Sequence, residues 1–79
     1  MDEKEIFEKI KNVLADKFNI DKDKIQLNAS LVNELGIDSF AAVELAFMLE
    51  DEFKIKIPDE EFYKLKTIEE AVKAIAKKL

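Results

Sequence analysis

The stretch LGIDSFAAVELAFMLEDEF, residues 35–53, joins a sharp turn to an amphipathic run, and its reading decides the fold. Gly36 is open to backbone conformations closed to most residues, so the chain can turn there and enter a helix at Asp38 or Ser39. From that point to about Phe53, Val43, Leu45, Ala46, Leu49 and Phe53 form a core-facing stripe, while Glu44, Glu50 and Asp51 fall on more polar faces. Phe40, Phe47 and Met48 carry more apolar surface than one buried face needs, which predicts that part of it stays exposed. Ser39 stands at the mouth of this helix, where free N–H groups and the positive dipole end favour an attached phosphate. Ser or Asp before an amphipathic helix is ordinarily an N-cap, so the hydroxyl alone carries no function.

Working outward, the N-terminal side predicts a first helix. Asp2 can cap it, Glu5 occupies the capping-box position, and Ile6, Phe7, Ile10, Val13, Leu14 and Phe18 recur at helical spacing until Asn19 and Ile20 close it. Residues 21–38 lack sustained periodicity and read as a long loop with a helical turn near Leu31 to Leu35, anchored by Ile25, Leu27, Leu31, Val32, Leu35 and Ile37. Connections of that length are more often functional than idle. On the C-terminal side, Lys54 to Pro58 alternates like a strand but has no partner strand, so it reads as loop. Asp59 starts a short helix through Tyr63. Thr67 then caps a last helix, with Glu70 at the capping-box position and Ile68, Ala71, Val72, Ile75, Ala76 and Leu79 on its buried stripe. The expected fold is all-α, a four-helix bundle with a long first loop and a short third helix, in one domain over residues 1–79.

Composition narrows the function classes. The chain has 79 residues, a formal net charge of −5 and 39% charged residues, and all its basic residues are Lys. Without Arg, bidentate reading of phosphate or base edges is missing, so nucleic acid is not an expected partner. An acidic surface instead suits partners that present basic patches. No Cys and no His are present, which removes the thiol nucleophile, the usual general base and the commonest metal ligands. Asp21-x-Asp23 has a superficial likeness to a Ca²⁺ loop, but Gln26 stands where glycine is required and Val32 where the bidentate carboxylate is. The acidic N-terminus is unlike a secretory signal and no apolar run reaches spanning length, so a cytoplasmic protein without a transmembrane segment is expected.

The string Leu35-Gly36-Ile37-Asp38-Ser39-Phe40, with Val43-Glu44-Leu45, Leu49-Glu50-Asp51-Glu52-Phe53 and Ile57-Pro58-Asp59-Glu60-Glu61, closely resembles acyl carrier proteins, and the resemblance runs from the first helix to the last. It implies the four-helix acyl-carrier fold and a 4′-phosphopantetheine arm on Ser39, donated by coenzyme A through a separate Mg²⁺-dependent phosphopantetheinyl transferase. The thiol that the polypeptide lacks would then come from the cofactor. By the same resemblance Asp38 assists the transferase, and its alternative role is an N-cap. Phe40, Val43, Glu44, Phe47, Glu50 and Asp51 match the positions that dock partners, and Leu45, Leu49, Ile57 and Leu65 match those lining the acyl pocket. Aliphatics at helical spacing are otherwise plain core.

The implied partners are acyl-transferring or chain-elongating enzymes with basic docking patches and the implied role is delivery rather than catalysis, with a monomer as the default state. Carriers of fatty acid synthesis usually have Leu and then an acidic residue after the serine, where this chain has Phe40 and Ala41. Asp38-Ser39-Phe40 also resembles D-alanyl carrier proteins. The cargo therefore stands open between acyl chains of fatty acid or related lipid and polyketide synthesis and an aminoacyl group, with an unmodified helical adaptor as the reading without a prosthetic group.

Overall fold

A computed structural model describes residues 1–79. Helix α1 spans Glu3–Phe18, α2 Ser39–Phe53, α3 Asp59–Phe62 and α4 Ile68–Lys78, with a single 3-10 turn at Lys22–Lys24 inside the first loop. The architecture is the expected all-α bundle with a long first connection and a short third helix. The 3-10 turn was not expected. Asp21 holds it by accepting the Asp23 N–H at 2.9 Å, a local side-chain cap rather than a periodic signal.

Each helix start rests on a short polar side chain or a fixed backbone. Asp2 Oδ1 accepts the Glu5 N–H at 2.9 Å, and Thr67 Oγ1 accepts the Glu70 N–H at 3.2 Å. Glu70 reaches back to the Lys66 N–H at 2.6 Å, one residue before the cap. Helices α1 and α2 end at Asn19 and Lys54, both left-handed.

The core is a single cluster with no buried polar or charged residue. Ile6, Ile10 and Leu14 come from α1, Leu45, Leu49 and Phe53 from α2, and Ile68, Val72 and Ile75 from α4. Ala42, not Val43, completes the α2 stripe: the 42, 45, 46, 49, 53 series tracks the helical period, and Val43 sits half-buried at its edge. Leu79 lies past the last turn of α4 and is exposed.

The long loop is fastened to the start of α4 by backbone hydrogen bonds from Leu31 N–H to the Lys66 carbonyl, Ile68 N–H to the Ala29 carbonyl and Glu69 N–H to the Leu27 carbonyl. Ser30 and Thr67 face each other there as an isolated antiparallel bridge. This pairing decides which loop residues point inward. Ile25, Leu31, Leu35 and Ile37 are buried as expected, and Ala29 joins them. Leu27 and Val32 depart from expectation at 44% and 61% exposed. Leu27 is held on the surface by its bond to α4. Val32 points outward because Ser30, accepting the Asn33 N–H at 3.1 Å, starts a turn that turns Leu31 and Leu35 inward together. No helix is long and apolar enough to cross a membrane.

Candidate functional site

Three features converge on Ser39. Gly36 has φ +71, the left-handed region that favours glycine, and a Cβ there would meet nothing within 4 Å, so the requirement is conformational and not steric. The Gly36 N–H donates to the Val32 carbonyl and the Ile37 N–H to the Leu31 carbonyl at 2.8 Å, closing the turn, and buried Ile37 pins the chain just before the helix. Asp38 then caps α2, its Oδ1 accepting the Ala41 N–H at 2.8 Å while its carbonyl accepts the Ala42 N–H. The N-cap role set out for Asp38 is thus the one it plays within the chain.

Ser39 follows as the first residue of α2 and is exposed. With the cap engaged by Ala41 and Ala42, the Ser39 and Phe40 N–H groups have no acceptor within the chain. They and the helix dipole face the space that a phosphodiester on Ser39 Oγ would fill. Beside it opens a cleft of about 150 Å³, lined by nine residues, seven of them hydrophobic. Val32 and Leu31 come from the loop, Ala42 from α2, and Phe62, Tyr63 and Leu65 from α3 and its exit. An exposed hydroxyl at a helix start, next to an apolar cleft, suits a covalent arm with an apolar burden.

The residues matched to an acyl pocket separate into two groups. Leu65 lines this cleft, and Ile57 lines a neighbouring crevice too tight to hold a water molecule. Leu45 and Leu49 are buried at 1% and 0% exposure and line neither. In this structure they are core. Phe62, Tyr63, Val32 and Ala42 were absent from the sequence-derived set, because the cleft is assembled from three separate segments and leaves no periodic trace. The adjacent aromatics Phe62 and Tyr63 at the end of a four-residue helix were the available signal, and only the first of them is buried.

The docking positions also divide. Phe40 and Phe47 are 76% and 66% exposed on α2, Val43 between them is half-buried, and Glu44 and Asp51 are exposed. Glu50 differs from these: its Oε2 accepts the Ile57 N–H at 2.6 Å, so its carboxylate clasps the loop between α2 and α3. No group of three or more Asp or Glu residues is arranged to hold a metal ion.

The family model described as a phosphopantetheine attachment site matches residues 8–75. The chain is 49% identical over 75 residues to an acyl carrier protein of Lactobacillus acidophilus, covering 95% of this chain and 94% of the relative. It is 40% identical to the acyl carrier protein of Petrotoga mobilis over 100% of this chain and 93% of that one. Against the acyl carrier protein of Thermosynechococcus vestitus the identity is 42%, over 100% and 98%.

Proposed function

The chain belongs to the acyl carrier protein family, and from that premise we propose that Ser39 is the residue whose hydroxyl takes the phosphodiester of 4′-phosphopantetheine. The family's work is carriage, not catalysis: acyl groups travel as thioesters, and other enzymes make and break the bonds. The arm supplies the thiol that a chain without cysteine cannot.

The observation that carries the assignment is the exposed Ser39 hydroxyl at the start of α2, with unpartnered N–H groups behind it and an apolar cleft beside it. The chain's own residues do three things there. Asp38 holds the helix start rigid and leaves Ser39 Oγ outside the cap. The Ser39 and Phe40 N–H groups offer hydrogen bonds to phosphate oxygens. The cleft walls shelter apolar atoms from water. An acyl cargo, as in fatty acid biosynthesis, fits those walls better than an aminoacyl one. Seven of the nine lining residues are hydrophobic, and the single carboxylate among them, Asp38, is exposed with one oxygen on the Ala41 N–H, so the cleft offers a cargo apolar contact above all.

For partners, the reading is a monomer that docks through α2 on basic patches of a phosphopantetheinyl transferase and of acyl-handling enzymes. Phe40, Val43 and Phe47 supply the apolar contact, and Glu44 and Asp51 supply the charge, mainly as steering. Glu50 keeps its charge but is less free to reach a partner's basic group, because it is half-buried and held by the Ile57 N–H.

The test is intact-mass spectrometry after incubating the apo protein and a Ser39→Ala variant with coenzyme A, Mg²⁺ and a broad-specificity phosphopantetheinyl transferase. One added phosphopantetheine, lost in the variant, is the expected result. No addition with a panel of transferases, or addition that survives Ser39→Ala, overturns the assignment.

A further inference from the structure

We propose that Phe62 decides how long an acyl chain the resting fold shelters, and that it limits the sheltered chain to about six carbons. The proposal rests on Ser39 being the attachment point and adds a specificity-determining residue to that site.

Two apolar spaces meet at Phe62. The cleft at Ser39 has a volume of about 150 Å³. An apolar cavity of about that volume takes a molecule of benzene's size, hence the figure of about six carbons. Behind it lies the crevice between α3 and α4, walled by Ile57, Leu65, Ala71, Ala74 and Ile75, which has no room even for water. Phe62 and Leu65 are the only residues common to both linings. Phe62 is the larger and is 3% exposed, so its ring fills the volume through which the cleft would otherwise run on into the crevice.

Two contacts tie down the residues around this wall. Glu61, next to Phe62, pairs with Lys78 of α4 at 3.1 Å, with both side chains partly buried. Glu50 holds the N–H of Ile57, which also lines the crevice. Close-packed interiors do not deform continuously, so a chain that outgrows the cleft must either displace an aromatic ring or leave its end in water. Truncating the ring joins the two spaces along a continuous apolar wall from Ser39 to Ile75.

The test uses the full-length holo protein loaded with butyryl, hexanoyl, octanoyl, decanoyl and dodecanoyl groups, as wild type, Phe62→Ala and Phe62→Leu. For each the rate of thioester cleavage by hydroxylamine and the melting temperature are measured. In the wild type, protection and melting temperature rise through hexanoyl and then level off. In Phe62→Ala both keep rising to decanoyl, with cleavage of the decanoyl thioester slowed several-fold relative to wild type. Should Phe62→Ala fail to fold, by circular dichroism, Phe62→Leu and the wild-type series carry the decision, the Leu variant moving the plateau to octanoyl. A wild-type profile that climbs unbroken to dodecanoyl overturns the proposal, as does an identical plateau in every folded variant. Intact mass separates the two layers of inference: samples that never load at Ser39 defeat the attachment assignment, whereas loaded samples with the wrong length profile defeat only the role of Phe62.

Discussion

Replacing Glu50 by Ala removes the α2 side chain that hydrogen-bonds the backbone of the loop ahead of α3. Its carboxylate accepts the Ile57 N–H at 2.6 Å, and Ile57 is 5% exposed, so the truncation strands a donor at the edge of the core. Hydrogen bonds to charged groups contribute about 1.5–3 kcal/mol, and the partial exposure of Glu50 puts this one at the lower end, about 1.5–2 kcal/mol. The slightly better helix propensity of Ala returns a few tenths of a kcal/mol. For a domain of this size each kcal/mol moves the melting temperature by roughly 4–8 °C, so the expected loss is roughly 5–14 °C. Glu50→Gln keeps a carbonyl acceptor and should recover about half of it. Asp51→Ala is the internal control. Asp51 is the next residue, its side chain is 89% exposed, and its only partner is Lys54 at 3.8 Å, so the change should stay within about 0.5 kcal/mol. The assay is thermal and urea unfolding of all three variants by circular dichroism. If Glu50→Ala melts within a degree or two of Asp51→Ala, about the scatter of a neutral surface change, then the Glu50–Ile57 clasp contributes nothing and the separation of Glu50 from the other acidic residues of α2 is wrong.

Asp38→Ala removes the α2 cap and should cost about 1 kcal/mol in urea unfolding, with Asp38→Asn retaining most of the stability; equal losses in the two would argue against capping. Gly36→Ala should cost roughly 1–2 kcal/mol from the left-handed backbone alone, because the added methyl meets nothing within 4 Å; a much larger loss would mean an unseen clash. Glu44→Lys, measured against Glu50→Lys corrected for fraction folded, should slow modification by the transferase and flatten its dependence on salt; an unchanged rate and salt slope would remove Glu44 from the docking face.

The sequence by itself determined the helices and the position of Ser39 at the start of one of them. Helical spacing at Ile6, Ile10 and Leu14, and again at Leu45, Leu49 and Phe53, is a local property, and so are the caps at Asp2, Asp38 and Thr67, each satisfied by an N–H three residues on. The place of Ser39 at a helix start was legible for the same reason, since Gly36 and Asp38 are its neighbours in the chain, but its proposed role came from the resemblance of residues 35–40 to acyl carrier proteins. Tertiary structure decided what depends on distant segments meeting. Leu27 and Val32 look as buriable as Leu31, but backbone pairing of residues 27–31 with 66–69 turns them to solvent and seats Ala29 inside. Glu50 reads as one more acidic residue on a charged helix until Ile57, seven positions away, presents its N–H. Leu45 and Leu49 match acyl-pocket positions by resemblance and core positions by spacing, and here they are buried in the core, while Phe62 lines two spaces because residues of the first loop, α2, α3 and α4 meet there. Periodicity records which face of a helix is apolar; only the arrangement of the other helices sets how much of that face is filled and where a gap is left.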